Sequence, residues 1–391
     1  MPSLKVLHVN TQFASLGGLE AVLRRHHEDD SRFGLESRFL AYYEPPAIGW
    51  PRARFLGFKD RTTIAQARAA QRAALADFPA DIAVYHTVWG LPYLADLDRS
   101  ARRVLMLHSD IPRLDEFLKS RLPLTDAVIG VSQTLVQRAR IAAPDFDAER
   151  FHLAPYPVVP PSLAPRADRD PNRPLTIGYC GRLVREQKRV ERIPELVRHL
   201  TRLGVDFRFE ILGDGPERAA LEAALPDRSR FVFHGRKSGD GYWDVLRSWD
   251  VMAFVSDFEG TPISLLEGLA AGVLPLHPKI GSGGDSAAAR ISEMLVYPPG
   301  DLESAAQAVQ RLAGLPAEEW RELRRRCAVI VEPHLGDRYL EGFAEFLRKV
   351  NTLPIRPKAP FPGRPWPVDH LSFRMLDRIS SLRRRLRGGG R

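Results

Sequence analysis

The segment Glu259-Gly260-Thr261-Pro262-Ile263-Ser264-Leu265-Leu266-Glu267 decides how this chain of 391 residues is read. It follows Val251 to Val255, an apolar run with the length and composition of a buried strand. Thr261 suits a helix N-cap and Pro262 the first helical position. A strand, a short loop and a capped helix leave unpaired N–H groups and a positive dipole end at the strand's carboxyl end, which is a natural anion site. Glu259 falls in the loop before the helix, and Glu267 lies about 7–8 Å along it at ~1.5 Å rise per residue. The same residues, taken alone, read equally as a capped helix with two solvated glutamates.

Outward from this segment the second half of the chain repeats the strand–loop–helix pattern. Leu175 to Tyr179, Phe207 to Leu212, Phe231 to His234, Val251 to Val255 and Leu274 to Leu276 are strand candidates, each with a helical segment after it. Helices over Leu302 to Leu312, Ala317 to Ile330 and Asp337 to Val350 close the unit. The first half alternates likewise: strands at Lys5 to Val9, Ser37 to Tyr43, Asp81 to Val88, Arg103 to His108 and Asp126 to Val131, and a helix capped by Ser132. This alternation predicts parallel sheets with crossover helices. Between the halves, prolines crowd Pro155 to Pro174 and block helix and ladder alike. The expected organisation is an α/β chain of two Rossmann-like doubly wound domains: residues 1–160, a linker at 161–174, a second domain at 175–351, and a tail at 352–391. Two such units face each other across a cleft where strand ends converge, and clefts of this kind bind ligands.

Two further pieces lie where the cleft should be. Gly178-Tyr179-Cys180-Gly181-Arg182-Leu183 follows the first strand of the second unit, with Lys188 six residues after Arg182. An Arg and a Lys on one loop can clamp a diphosphate, the first as a planar fork and the second as a point charge. Gly213-Asp214-Gly215-Pro216-Glu217 reads as a tight turn into a helix, with or without a ligand role. Two carboxylates flanking a phosphate site match the layout of a nucleotide sugar, with sugar on one side of the diphosphate and ribose on the other.

Taken in order, Gly-Arg-Leu…Gln-Lys, Leu-Gly-Asp-Gly-Pro-Glu, the segment from Glu259 to Glu267, and Tyr297-Pro298-Pro299-Gly300-Asp301 resemble the family-four retaining glycosyltransferases of the GT-B fold. The match covers most of residues 175–350. In the first half the match is looser. Gly17-Gly18-Leu19-Glu20 looks like the family's first-strand glycine loop, His108-Ser109-Asp110 resembles its histidine loop, and Asp126 to Ser132 resembles its strand and helix start. The resemblance implies roles. Arg182 and Lys188 would bind the donor diphosphate, and Gly17 and Gly18 would let backbone N–H groups approach it. Glu267 would hold the ribose hydroxyls. Glu259 would bind sugar hydroxyls beside the N–H groups of Gly260, Thr261 and Ile263, with Pro262, which has no N–H, lining the same turn. His108 would meet the transferred sugar, and the turn at His234-Gly235-Arg236 the base. Departures are visible: Val273-Leu274 stand between Gly272 and Pro275, the lysine is shifted by one, and Arg189 replaces a glycine after it.

The implied reaction is transfer of a sugar, with retention, from a nucleoside-diphosphate sugar to a glycan or lipid-linked acceptor. Bacterial surface polysaccharide, lipopolysaccharide or glycolipid assembly is the expected setting. No obligatory cofactor and no metal are expected. Asp-x-Asp pairs at Asp96/Asp98, Asp145/Asp147 and Asp168/Asp170 read as surface turns, and the pair His26-His27 as solvent-facing on a helix. Rivals are a nucleotide-sugar epimerase or hydrolase of the same fold and a non-catalytic sugar-nucleotide or membrane-binding module.

The formal charge of +9 invites a polyanion partner. Residues 352–391 hold ten basic groups against two acidic ones, so the tail carries +8 and the body only +1. That distribution argues against nucleic acid. In the tail Leu371, Met375, Ile379, Leu382 and Leu386 recur at helical spacing among arginines. The tail reads either as a helix packed on the body or as an interfacial helix on anionic lipid. With two distant cysteines, Cys180 and Cys327, and no apolar run of spanning length, a cytoplasmic protein is expected, and the interfacial reading of the tail would make it peripheral on the membrane's inner face.

Overall fold

The computed structural model describes residues 3–13, 18–43, 50–86, 91–98, 102–111, 114–161, 169–170, 172–357, 367–376 and 378. Two all-parallel sheets organise the chain. The first contains β1 (Leu4–Asn10), β2 (Leu35–Ala41), β3 (Ala53–Phe55), β4 (Ile82–Tyr85), β5 (Arg102–Leu107), β6 (Ala127–Gly130) and β7 (Phe151–Leu153). Its strand order is β3-β2-β1-β4-β5-β6-β7. The second contains β8 (Leu175–Cys180), β9 (Phe207–Leu212), β10 (Phe231–Gly235), β11 (Val251–Ala253), β12 (Leu274–Pro278) and β13 (Val296–Tyr297), in the order β10-β9-β8-β11-β12-β13.

This is the α/β architecture expected from the alternation. The chain reverses direction across each sheet at β1 and at β8, and open sheets bind ligands at the carboxyl ends of such strands. β1 leads toward Gly17-Gly18 and β8 into Gly181-Arg182. The interior strands are buried on both faces, as crossover helices demand: Val6, Val9, Ile82, Val104, Leu175, Ile177, Val251 and Leu274 are all inaccessible to solvent.

Three strands absent from the sequence reading, β3, β7 and β13, are sheet edges only two or three residues long. The helix after Pro262 spans Ile263–Ala270, so Pro262 is its N-cap residue (φ −60°, ψ 129°) rather than its first helical residue. Its ring still pre-sets the entry angle.

The helix Arg338–Thr352 returns from the second domain to the first. Its apolar stripe of Tyr339, Leu340, Phe343, Phe346, Leu347 and Val350 is buried. Phe343 stacks near His8, with ring centroids 5.9 Å apart, and Asp337 just before the helix pairs with Arg25 and Arg32 of the first domain, each at 2.7 Å. A second seam joins the same regions: Val158 donates its N–H to the His334 carbonyl at 2.8 Å, and His334 Nδ1 bonds the Tyr156 carbonyl at 2.8 Å.

The tail makes a short return onto the first domain. Ser372 bridges Thr63, and Phe373 packs against Phe58 and Tyr43. The buried tail side chain is thus Phe373, while Met375 of the expected apolar stripe is half exposed. Ile379, Leu382, Leu386 and the arginines beside them lie outside the described residues.

Candidate active site

β8 delivers the loop that carries both cations. Tyr179 is buried in that strand, and its hydroxyl donates to the Arg182 carbonyl at 3.0 Å, fixing the loop's exit. The glycines of Gly213-Asp214-Gly215 nestle against this loop. A Cβ on Gly213 would stand 2.0 Å from the Gly181 carbonyl oxygen, so only glycine lets the two turns meet. Arg182 itself is exposed, its guanidinium 3.4 Å from the Gln187 side-chain oxygen.

A turn then brings Gln187 and Lys188 to Glu259. The Lys188 ammonium lies 2.7 Å from Glu259 Oε1, Ser256 Oγ donates to the same oxygen at 2.7 Å, and Gln187 Nε2 reaches Oε2 at 3.3 Å. The side chain of Glu259 is 5% exposed and that of Lys188 14%. Arg189, in place of the glycine, keeps the left-handed backbone a glycine would adopt (φ 51°, ψ 39°) and is the sole non-glycine residue with positive φ among the described residues. Such a residue costs roughly 1–2 kcal/mol. Half-exposed ion pairs to Asp257 at 3.0 Å and Glu191 at 3.3 Å partly offset it.

Glu267 occupies the next turn of the helix. It is half-buried, accepts the Tyr242 hydroxyl, and burial pushes its pKa up to about 7 against the pull of that hydrogen bond. The Tyr242 oxygen also touches Cys180 Sγ at 3.5 Å, which ties Glu267 back to β8. Gly235 ends β10 in a left-handed turn (φ 67°), and its carbonyl accepts the Gly213 N–H at 2.9 Å. Beside it, His234 is anchored to the buried Glu210 at 2.7 Å.

The first domain touches this assembly at three points. A Cβ on Gly260 would lie 2.5 Å from the His108 carbonyl oxygen, and one on Gly18 3.0 Å from Ile263 Cβ. Gly283 of the Gly281-Ser282-Gly283-Gly284 stretch packs against Thr261 and the first domain's Ser132. The structure therefore gathers Arg182, Lys188, Glu259, Gly260, Thr261, Pro262, Ile263 and Glu267 on one side, facing Gly18 and His108. Gly17 lies outside the described residues.

His108 presents its main-chain carbonyl, not its ring, to Gly260. Nδ1 takes the Tyr156 hydroxyl and Nε2 lies 3.0 Å from His86 Nδ1. Burial pulls His108 down to about 3. His86 Nε2 is in turn 2.8 Å from His8 Nδ1, and His8 Nε2 is 3.3 Å from Asp30 Oδ2.

The expectation that His26-His27 faces solvent is overturned. Both are buried, and His26 bonds Asp30 Oδ1 at 2.8 Å through Nδ1 and the Tyr339 hydroxyl at 2.8 Å through Nε2. The helix Gly18–Asp29 turns His26 toward Tyr339 and Phe343 of the returning helix Arg338–Thr352, and His27 toward Phe39 and Trp50 of the first domain. Sequence reasoning missed this cluster, although one signal was available. His8, His86 and His108 sit in or just after β1, β4 and β5, which are consecutive in the sheet.

Among the described residues, His8, His26 and Asp30 are the group with metal-like spacing, their ligand atoms lying within 4.8 Å of one another. Each of these atoms is already committed to a hydrogen bond. The described aspartates of the Asp-x-Asp pairs hold partners of their own: Asp96 with Arg68, Asp98 with the Tyr85 hydroxyl, Asp145 with Arg356, Asp147 with Arg150, and Asp170 with the Asn172 N–H at 2.9 Å.

Residues 174–314 match the family model described as Glycosyl transferases group 1. A 2-deoxystreptamine glucosyltransferase of Streptomyces kanamyceticus is 30% identical over 204 residues, which is 51% of this chain and 52% of that protein. The chain thus spans about half the length of this curated relative. Among solved structures, the apo form of the lipopolysaccharide outer core galactosyltransferase WaaB is 19% identical with a TM-score of 0.67, covering 88% of this chain and 99% of that one. Anabaena HepE in complex with UDP is 14% identical with a TM-score of 0.66, covering 88% and 100%. At these identities the structural likeness speaks for the fold.

Proposed function

We propose that this chain, whose residues 174–314 match the group 1 glycosyltransferases and whose fold is that of GT-B structures, moves a sugar from a nucleoside-diphosphate sugar to a glycan or lipid-linked acceptor. The observation that carries the reading is the Lys188–Glu259 pair, set at a helix N-terminus with Arg182 on the adjoining loop. Breaking the anomeric bond develops negative charge on the leaving phosphate. Arg182, Lys188 and the N–H groups around Ile263 would stabilise that charge. Lys188 already neutralises Glu259, so an incoming diphosphate would share this ammonium, and Glu259 would turn its acceptor capacity to sugar hydroxyls. Glu267 would hold the ribose, the His234-Gly235 turn the base, and the His108 carbonyl the sugar side of the cleft.

Retention follows from family resemblance. A same-face displacement, in which the leaving phosphate assists acceptor deprotonation, needs no protein nucleophile. Work on bacterial surface glycans or glycolipids, with the Arg-rich tail attracted to anionic lipid, completes the reading. Among the described residues no helix is long and apolar enough to cross a membrane. Removing residues 379–391 is expected to weaken binding to anionic vesicles while sparing activity on a soluble acceptor. Equal vesicle binding would defeat the tail's part.

The main test is a thermal-shift screen with nucleoside diphosphates, since a ligand that binds only the folded state raises apparent stability. Arg182→Ala should abolish the shift given by the best diphosphate and lower turnover about 10²-fold, with Tm nearly unchanged because the side chain is exposed. Unchanged turnover in an active preparation would sink the site assignment.

A further inference from the structure

The buried polar chain behind His108 has a direction that its chemistry dictates. Asp30 is inaccessible to solvent and sits where burial alone would raise its pKa, yet its bonds to His26 and His8 hold it below the usual carboxylate range. An ionised carboxylate only accepts hydrogen bonds. It receives Ser37 Oγ and His8 Nε2 on Oδ2, and His26 Nδ1 on Oδ1. His8 Nε2 therefore carries the hydrogen. Burial pulls His8 down to about 4, so its ring is neutral and Nδ1 is an acceptor. That acceptor takes the N–H of His86 Nε2. His86, also lowered by burial, is neutral and accepts through Nδ1 from His108 Nε2. His108 is then left with one lone pair, on Nδ1, which the Tyr156 hydroxyl fills. One carboxylate thus fixes three tautomers in series, as a second partner fixes the tautomer of any single histidine. The rings also stack, with centroids 5.1 Å apart for His8–His86 and 5.2 Å for His86–His108, so the row is rigid.

The ends of the row lie on the two connections between the domains. Tyr156 opens the segment that leads to the second domain, and its carbonyl is bonded by His334. Tyr339, which bonds His26 on the far side of Asp30, is on the returning helix Arg338–Thr352. His108, next to the Tyr156 end of the row, carries the main-chain carbonyl that meets Gly260.

We propose that the hydrogen-bond chain Asp30–His8–His86–His108–Tyr156 seats the His108 loop against the Glu259-Gly260 turn, with Asp30, His8 and His86 as positioning residues for sugar transfer. The proposal rests on the transferase reading above, and it makes no metal or proton-transfer demand on the cluster.

The test uses the full chain with ¹⁵N-labelled histidine. Long-range ¹H–¹⁵N correlation reads each ring's tautomer, and steady-state kinetics with nucleotide sugar are run on the same preparations. In the unmodified protein His8, His86 and His108 should all be neutral with the hydrogen on Nε2. His8→Phe keeps a planar ring beside Phe39 but removes the acceptor for His86. It should give mixed tautomers at His108 and lower kcat about ten- to a hundredfold, with donor KM held within about twofold. His8→Gln offers an amide N–H to Asp30 and a carbonyl to His86. It should restore the His108 tautomer and most of kcat, a recovery that a purely structural role would not produce. A His108 ring that is cationic or Nδ1-protonated in the unmodified protein would overturn the proposal even if no variant folds. So would a folded His8→Phe protein with wild-type kcat. Failure of the transferase reading shows itself separately, as no consumption of any nucleotide sugar by the unmodified chain, and the tautomers then decide the relay alone.

Discussion

Lys188→Ala is expected to lower turnover about 10²–10³-fold, the usual loss when one preorganised partner of a developing anion is removed. It should also cost stability, because Glu259 is 5% exposed and would lose the ammonium that faces it. Removing one partner of a buried pair costs about 3–5 kcal/mol, and the low end applies here since Ser256 and Gln187 still donate to Glu259. Lys188→Arg should recover little activity. A planar fork cannot occupy the place of a point charge 2.7 Å from one carboxylate oxygen without displacing Ser256. The double variant Lys188→Ala/Glu259→Gln separates the two effects: thermal stability should return toward that of the unmodified protein while turnover stays low. A Lys188→Ala protein with unaltered kcat/KM would mean that the pair is structural and that the diphosphate is held elsewhere.

How far the sequence carried is clearest at individual elements. β8, β11 and β12 were legible as compact apolar runs and β9 as an aromatic and aliphatic stretch closed by Gly213, and the parallel sheet follows from their alternation with helices. β3, β7 and β13 were not legible, since alternation needs more than the two or three residues these edges possess. Lys188 could be picked out by order and spacing along the chain. Its aim at Glu259 could not, because the left-handed backbone at Arg189 that turns it there is the conformation a glycine would have signalled. The histidine row shows a different limit. His8, His26, His86 and His108 have no common spacing, and they become neighbours only when β1, β4 and β5 pair and the returning helix covers His26. Composition misleads in the opposite direction: the chain's net charge lies almost wholly in the tail, whereas the proposed chemistry of the cleft would use two cations of the second domain.

Glu267→Gln should raise stability and weaken nucleotide binding at once. Burial lifts the Glu267 carboxyl from an ordinary value of 4.5 to about 7, so the folded state binds a proton more tightly than the unfolded chain does. The sign follows from linkage. Stability contributed by this group is unaffected below about 4.5, falls as pH rises toward 7, and stays reduced above that, by up to about 3 kcal/mol. Partial exposure of the side chain trims this figure. A glutamine keeps the acceptor for the Tyr242 hydroxyl and carries no charge to desolvate, so the variant should melt higher than the parent at pH 8 and nearly level with it at pH 5. The same change removes a carboxylate suited to two ribose hydroxyls, and nucleoside-diphosphate affinity should drop about tenfold at pH 8. In the parent, ligand binding above pH 7 should be accompanied by little proton exchange at this site. Near pH 6 it should release a proton, because ribose hydroxyls favour the ionised acceptor. Calorimetry in buffers of different ionisation enthalpy measures that proton directly. If the release persists in Glu267→Gln, the ribose carboxylate lies elsewhere; if the melting difference is the same at pH 5 and pH 8, Glu267 is not held near 7.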